Sequence, residues 1–403
     1  MTDAVIGRKA GARSSSILGA ITFCHSINDL STSLLLAIYP LLKSGFDLSF
    51  GQIGLLTLVF QGTASLLQPA VGLYTDRRPQ PYALPFGMAC IAIALAVLAF
   101  ATSYAALLVG CAFLGVGSSI FHPESSRIAR LASGGAHGFA QSLFQVGGNF
   151  GNSLAPLAAA LLVLPYGRHS MAWFAVLAVA GIAILTLVGH TFGRSVVARP
   201  RARSSSAAHA AALSPQLVRR AIAVLIALIF SKYFYLASIT SYYMFYLIRH
   251  FGVTAENAQL CLFAFLVSAA AGTFIGGPVG DRVGRKRVIW CSILGVVPFT
   301  VALPYVGLTA TIALSVVIGL TISSAFSAIV VYAQDLIPGR VGMVSGLFFG
   351  VAFGMAGLGA AALGELIDLT SIDFVYRICS FLPLIGVLTA FLPDIERMAL
   401  SRR

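Results

Sequence analysis

Long apolar runs recur along the whole chain, each divided from the next by a short polar break. Examples run from Tyr82 to Ala101, from Met171 to His190 and from Ile312 to Val330. A helix of about 20 apolar residues can cross a hydrocarbon core about 30 Å thick. Only 10% of the 403 residues are charged, whereas soluble domains average about 25%. So few charges cannot cover a soluble surface of this size, and the runs therefore predict an all-α membrane protein.

Breaks at glycine, proline and arginine divide the chain into twelve predicted transmembrane helices. Their ranges are 16–42, 50–74, 82–102, 104–130, 137–164, 170–192, 221–248, 257–279, 287–307, 309–334, 340–364 and 371–392. The longest polar stretch, 194–220, predicts a cytoplasmic linker between an N-terminal six-helix half, 1–193, and a C-terminal six-helix half, 221–403.

The basic residues indicate how the helices are oriented. The formal net charge is +13, which in a soluble protein would favour nucleic-acid binding. Here the basic residues occupy alternate breaks, and only Lys43, Arg168 and Arg249 fall in the opposite loops. The positive-inside rule explains that pattern. We therefore expect no nucleic-acid partner, and we expect both termini to be cytoplasmic.

Several other classes of site are not indicated. Arg8 and Arg13 precede the first apolar run as in a signal sequence, but His25 and Asp29 interrupt it, so we expect a retained first helix. The six cysteines are scattered singly, without disulfide or zinc spacing. No phosphate-binding loop or HExxH motif occurs. We therefore expect no cofactor, no metal and no enzymatic activity, with an ion gradient as the energy source.

Short motifs repeat between the two predicted halves. Gly72–Arg77 follows the second predicted helix, and Gly277–Arg282 follows the eighth at an offset of 205 residues. The same offset relates Ser118-Ser119 to Ser323-Ser324. Corresponding motifs in the same order predict a duplicated six-helix unit, the parallel repeat found in some transporters.

Two of these repeated stretches resemble a signature of a known superfamily. The stretch Gly277–Arg287 is similar to the cytoplasmic loop signature of the major facilitator transporters, and Asp76–Arg78 is a degenerate copy of it. The resemblance implies the major facilitator fold, with twelve helices in two pseudo-symmetric halves that alternate access. It also implies a latch between the halves, formed by the signature residues Asp76, Arg77, Asp281, Arg282 and Arg285.

Within that superfamily, the chain resembles the fosmidomycin-resistance family of bacterial efflux proteins. The stretches that carry the resemblance include 25–29, 36–40, 121–127, 144–151, 231–235 and 338–346. The resemblance implies proton-driven export of a small phosphonate antibiotic, and of other drugs, by a monomer in the bacterial inner membrane. The stretch from Gly151 to Ala160 resembles an antiporter motif with three glycines replaced, whereas Cys111 stands where generic drug antiporters have an arginine.

Three ionisable residues are candidates for proton coupling. Because a charge in mid-membrane is costly, an ionisable residue there is a functional candidate by default. Asp29 lies near the middle of the first predicted helix, and His25 lies one turn earlier on the same face. Glu124 is a candidate second protonation site. The alternative for each is a polar contact that fixes helix packing.

Two basic residues are candidates for holding an anionic substrate. Lys232 lies near the middle of the seventh predicted helix and should pair with an acid or an anion. We hypothesise that Asp29 pairs with Lys232, and that protonation of Asp29 frees Lys232 to bind a phosphonate. A purely structural ion pair is the alternative. Arg127 lies three residues after Glu124 and can face it, with Pro123 kinking the helix. Arg127 is otherwise an ordinary basic residue at a cytoplasmic helix end.

Polar and aromatic side chains complete the predicted substrate site. Amides inside membrane helices often hydrogen-bond between helices, which is the default interpretation here. Some are nevertheless candidates for lining a cavity, as are His122 and a cluster of tyrosines. The candidates are His122, Gln61, Gln145, Asn149, Tyr233, Tyr235 and Tyr242.

Two other functions remain open. Proton-coupled uptake of an organic anion could use the same acids and the same lysine. A membrane enzyme or sensor would need a catalytic constellation or an appended soluble domain, and neither is visible in the sequence.

Overall fold

The computed structural model describes residues 2–48, 50–197 and 214–395, and these contain helices and short connections but no β-strand. The predicted all-α class is confirmed. Before residue 198 the helices are α1 (Thr2–Ala37), α2 (Tyr39–Phe46), α3 (Phe50–Arg77), α4 (Ala83–Phe100), α5 (Tyr104–Ala132), α6 (His137–Ala158) and α7 (Met171–Val197). A π-turn at Ala159–Val163 ends α6.

Eight α-helices follow residue 213 in the described part of the chain. They are α8 (Pro215–Phe251), α9 (Ala255–Val283), α10 (Arg285–Ile293), α11 (Val297–Ala302), α12 (Leu308–Ser323), α13 (Ala325–Leu336), α14 (Val341–Leu369) and α15 (Ile372–Cys379). A 3₁₀ segment, Leu382–Phe391, follows α15. The tenth and twelfth predicted helices are therefore each formed by two consecutive helical segments, and the ninth by α10, α11 and a 3₁₀ segment, Leu303–Tyr305.

Ten segments of the described residues are long and apolar enough to cross a membrane. The first and fifth predicted helices are present as α1 and α6 but are not among the ten. Each carries polar side chains along its middle, such as Asp29 in α1 and Gln145 in α6, and these lower its mean hydropathy. The two helices least suited to lipid therefore carry four of the candidate polar residues, His25, Asp29, Gln145 and Asn149.

The chain divides into two compact units, Met1–Ala202 with Gly339–Gly350, and Arg203–Pro338 with Val351–Arg403. Most of the predicted linker, 198–213, lies outside the described residues. Helix extends into both ends of the predicted linker range, since α7 continues to Val197 and α8 begins at Pro215. Ser214 explains the second boundary, because its hydroxyl accepts a hydrogen bond from Leu217 N and proline follows it at the first helical position.

Close packing of α1 against α6 positions the polar middle of the first unit. A Cβ added at Gly147 would overlap the Thr22 carbonyl, and one at Gly151 would overlap the Ser26 carbonyl. The Ser26 hydroxyl also donates a hydrogen bond to Gly147 O at 2.8 Å. Because glycine lets two helix backbones approach closely, the polar side chains of α1 and α6 are brought into one buried space.

Candidate functional site

His25 and Asp29 lie one turn apart on α1 and are buried inside the first unit. His25 Nε2 is 3.4 Å from Asp29 Oδ1. The other ring nitrogen, Nδ1, is 2.6 Å from the Phe144 carbonyl oxygen, and the imidazole stacks on the Phe144 ring with centroids 3.9 Å apart. Both ring nitrogens of His25 and one face of its ring are therefore in contact with neighbouring groups.

A second imidazole, from α5, faces the same carboxylate. His122 Nε2 is 3.4 Å from Asp29 Oδ1, and its Nδ1 is 3.0 Å from the Ser118 carbonyl oxygen. Donor atoms of His25, Asp29 and His122 all lie within 4.8 Å of one another. No other group of three such side chains within the described ranges lies so close. We call these three residues the triad.

Two amides complete the surroundings of the Asp29 carboxylate. Asn28 Nδ2 donates to Oδ1 at 2.8 Å, and Asn152 Nδ2 from α6 donates to Oδ2 at 3.4 Å. Gly148 lies against the same group, since an added Cβ would be 2.5 Å from Asp29 Oδ2 and 2.7 Å from His25 Nε2. Nitrogen atoms therefore surround a negative charge that has been removed from bulk water, as a buried carboxylate requires.

Only part of this site is predicted from the sequence. His122 is predicted among the substrate residues, whereas the structure brings His122 to Asp29. Asn149 on α6 is a predicted cavity residue, but Asn152, three residues further along the same face, is the amide that reaches the carboxylate. The roles of Asn28 and Gly148 were not predicted. The helical spacing of Asn149 and Asn152 was the one sequence signal that could have indicated the second amide.

Glu124 and Arg127 bind each other, as their spacing of three residues predicted. Arg127 Nε donates to Glu124 Oε2 at 2.9 Å, and Arg127 Nη2 donates to Oε1. Both side chains are buried, so each charge is paired in a two-point contact. The roles predicted for the two residues, in proton coupling and in anion binding, stay predictions.

The carboxylate of Asp76, a residue of the predicted latch, contacts the first turn of a helix that is distant in sequence. Its two carboxylate oxygens accept hydrogen bonds from Gly342 N and Met343 N, each at 2.9 Å. These belong to the first turn of α14, whose free N–H groups attract a negative charge. Gly72 and Gly342 let the two backbones approach closely there.

The repeat-related latch residues in the second unit form ion pairs. Asp281 pairs with Arg285 at 3.3 Å, and Arg285 also donates to Asp335 at 2.8 Å. Arg77 in the first unit and Arg282 in the second are exposed. The signature carboxylate of the first unit therefore binds a helix N-terminus, and that of the second binds an arginine.

Lys232 is 2% exposed on α8, inside the second unit. Its ammonium nitrogen lies 5.4 Å from the Tyr233 ring centroid and 5.2 Å from that of Phe326. Aromatic faces attract a cation but do not neutralise it. Among the described residues of its own unit, Lys232 forms no ion pair with a carboxylate. The predicted pairing with Asp29 stays a prediction.

The remaining candidates are spread over both units. Tyr235 is buried in the apolar core of the second unit, and the Tyr242 hydroxyl donates to Ala360 O at 2.5 Å. Both have clear packing roles. Gln61, on α3, and Gln145 and Asn149, on α6, are half-buried in the first unit. Among the residues that the structure describes, Gln145 Oε1 has no hydrogen-bond partner.

The sequence repeat shows that the triad occurs once. The offset of 205 residues relates His25, Asp29 and His122 to Phe230, Phe234 and Ser327, and it relates Lys232 to Ile27. The first half therefore has buried titratable groups where the second has apolar or hydroxyl side chains. The second half has a buried cation where the first has isoleucine.

Comparison with known proteins agrees with this architecture. The Major Facilitator Superfamily model matches residues 21–254 and 233–400. The proton:xylose symporter XylE, solved with 6-bromo-6-deoxy-D-glucose bound, has the same fold with a TM-score of 0.73 at 14% sequence identity. The match covers 95% of this chain and 98% of that one.

Two curated relatives match nearly the whole sequence. The Fosmidomycin resistance protein of Escherichia coli (strain K12) is 58% identical over 381 residues, which cover 94% of this chain and 93% of the relative. The Uncharacterized MFS-type transporter YfnC of Bacillus subtilis (strain 168) is 38% identical over 393 residues, covering 97% and 96%. The chain therefore belongs to the Major Facilitator Superfamily, and within it to the fosmidomycin-resistance family of multi-pass membrane transporters.

Proposed function

We propose that the protein is a proton-coupled antiporter that exports small anionic drugs, fosmidomycin-like phosphonates among them, by alternating access. The name of the Escherichia coli relative supports the drug class, since that protein is 58% identical to this chain. The fold supports transport as the activity.

The observation that carries the proposal is the chemical difference between the two units. The first unit buries a carboxylate between two imidazoles, a group suited to taking up and releasing a proton. The second unit buries an ammonium group between two aromatic rings, without a carboxylate partner among that unit's described residues. A buried cation without a counter-ion is costly, and a phosphonate would supply one.

In this proposal the triad takes up the proton and Lys232 holds the phosphonate. Tyr233 and Phe326 border the ammonium group and would contact the rest of a small drug molecule.

The contacts of Asp76 support a role in conformational change and not in substrate binding. Its carboxylate binds backbone N–H groups at the start of α14, a contact that can break without unfolding either helix. We propose that this contact, together with Arg77 and with Asp281, Arg282 and Arg285 in the second unit, sets the rate of switching. Drug affinity should depend on it little.

The protein would work in the bacterial inner membrane as a monomer, with both termini in the cytoplasm. Its partners would be protons, the drug and the lipid bilayer, and it would need no cofactor.

Drug susceptibility of bacterial cells that express the chain tests the proposal. Expression should raise tolerance to fosmidomycin, and collapse of the proton gradient should remove that gain. Unchanged tolerance would contradict the assigned drug class. Increased sensitivity would instead indicate uptake, the direction that the sequence left open.

A further inference from the structure

The two histidines of the triad are fixed in the same tautomer by the backbone. A carbonyl oxygen can only accept a hydrogen bond, so the ring nitrogen that faces it must carry hydrogen. His25 Nδ1 faces the Phe144 carbonyl at 2.6 Å. His122 Nδ1 faces the Ser118 carbonyl at 3.0 Å and the Ser118 hydroxyl, which can accept a hydrogen bond as well, at 3.2 Å. In both rings Nδ1 therefore keeps its proton, and Nε2 is the atom that can gain or lose one.

Both Nε2 atoms point at the same oxygen, Asp29 Oδ1, from 3.4 Å. If both rings were neutral, two nitrogen lone pairs would face a carboxylate, which repels them. Adding a proton to either Nε2 turns that repulsion into a charge-assisted hydrogen bond between imidazolium and carboxylate. The geometry therefore favours a proton on an imidazole, with Asp29 as its fixed counter-ion.

Asp29 Oδ1 can accept a hydrogen bond from only one of the two imidazoles at a time. An oxygen of this kind accepts about two hydrogen bonds in good geometry. Asn28 Nδ2 already donates to Oδ1 at 2.8 Å. One position is therefore left for the two imidazoles, and only one of them can bind strongly while the other remains neutral.

We propose that the transported proton resides on Nε2 of His25 or His122 and passes between them across Asp29 Oδ1, while Asp29 itself stays ionised. This inference rests on the proposed proton coupling and names its atoms. In the transfer, one Nε2–H bond breaks, its electron pair stays on that nitrogen, and the lone pair of the other Nε2 forms the new bond. His122 is then a proton carrier and not a substrate contact.

The other groups around the triad do not compete for this proton. The rings of Phe121, Phe144 and Phe349 contact the two imidazoles, and Asn152 from α6 is uncharged. On α5, the nearest charges beyond His122 are Glu124 and Arg127, which bind each other. In the described side chains of α3, α4, α6, α7 and Gly339–Gly350, the other titratable groups are Tyr74, Asp76, Arg77, Cys90, His137, His190 and Arg340. Asp76 binds the Gly342 and Met343 N–H groups, and Tyr74 and Arg77 are exposed. His137 bonds Ser133, and His190 is exposed.

The test is nuclear magnetic resonance of the full-length protein in lipid nanodiscs, with ¹⁵N-labelled histidine and ¹³C-carboxyl-labelled aspartate. Histidine-to-asparagine variants assign the signals and probe the site. Asparagine can keep the donor that replaces Nδ1–H while it removes Nε2. His25→Asn and His122→Asn are the two test variants, and His190→Asn, on an exposed histidine, is the matched control.

We expect His25 and His122 to be Nδ1–H tautomers at high pH. Their Nε2 signals should move to the protonated position as the pH falls, while the Asp29 carboxyl signal stays at its ionised position. Either asparagine variant should leave a single titrating imidazole at the site, and His190→Asn should change neither signal. An Asp29 carboxyl signal that titrates while both imidazoles stay neutral would overturn the inference.

This outcome is separable from the proposed function. The spectra need neither drug nor transport, so titration of the imidazoles together with absent drug-driven proton movement would refute antiport and leave the proton site intact. If either asparagine variant fails to fold, the wild-type spectra with Asp29→Asn still decide the question. Loss of the imidazolium signals in Asp29→Asn supports the inference, and their persistence contradicts it.

Discussion

The carboxylate of Asp29 and the imidazole of His122 meet inside the first unit, with Oδ1 and Nε2 3.4 Å apart. One residue comes from α1 and the other from α5, so the contact ties the charge state of one helix to the position of another. Both side chains are buried, and water screens their interaction little. A change of one proton here therefore acts directly on helix packing, which is what coupling a proton to a conformational change requires.

Gly148 should be essential because it leaves space for the triad. A Cβ at this position would lie 2.5 Å from Asp29 Oδ2 and 2.7 Å from His25 Nε2. Gly148→Ala should displace the triad, destabilise the fold by about 1–3 kcal/mol and abolish proton-driven drug transport. Thermal unfolding and vesicle transport assays measure the two effects.

Gly62→Ala is the matched control for that substitution. Gly62 is also in a helix, but no atom of the residues that the structure describes lies within 4 Å of an added Cβ. It should retain transport and gain about 0.5–1 kcal/mol in stability. Equal loss of transport in both variants would contradict a specific role for Gly148.

Lys232 should determine affinity for the anionic drug. Loss of a charge-assisted contact costs about 1.5–3 kcal/mol, which corresponds to about a tenfold to hundredfold weaker Kd. Lys232→Met keeps most of the apolar stem but removes the charge, and should weaken fosmidomycin binding by that factor in calorimetric titration. Arg249→Ala, which removes an exposed cation from the same helix, should leave the Kd unchanged. A Kd that Lys232→Met leaves unaltered would remove Lys232 from the substrate site.

Asp76 should control transport rate. Asp76→Ala removes both acceptors from the first turn of α14, whereas Asp76→Asn keeps one. Loss of a helix cap costs about 1 kcal/mol. We expect Asp76→Ala to change the maximal transport rate more than Asp76→Asn does, and both variants to keep the drug affinity of the wild type. A change confined to drug affinity would contradict this role.

The Glu124–Arg127 pair should matter more to stability than to drug binding. Removing one partner of a buried pair leaves an uncompensated charge and costs about 3–5 kcal/mol. Glu124→Gln and Arg127→Met should each be strongly destabilising, and the double variant should recover much of the loss in a double-mutant cycle. Asp373→Asn, which breaks the exposed pair with His250, should cost about 1 kcal/mol or less. Additive losses in the double variant would show that the pair is not coupled.

Contacts within one helix could be predicted from sequence. His25 lies four residues before Asp29, and Glu124 lies three before Arg127, and both pairs meet because helical periodicity places them on one face. Apolar run length likewise predicted the helices, since it reflects a property of the bilayer.

Contacts between helices could not be predicted in this way. His122 reaches Asp29, and Asp76 reaches Met343, through packing that depends on glycines such as Gly147 and Gly342. A glycine that permits close approach looks the same in sequence as any other. The π-turn after α6 and the broken helices after Arg285 also depend on tertiary packing.

Drug-driven proton movement across proteoliposomes tests the central claim most directly. Wild-type protein should move protons against the direction of fosmidomycin when the drug is added, as followed by a pH-sensitive dye inside the vesicles. Asp29→Asn should still bind fosmidomycin but move no protons, and Asp47→Asn, on an exposed acid outside the triad, should behave as wild type. Proton movement of wild-type size in Asp29→Asn would contradict the account.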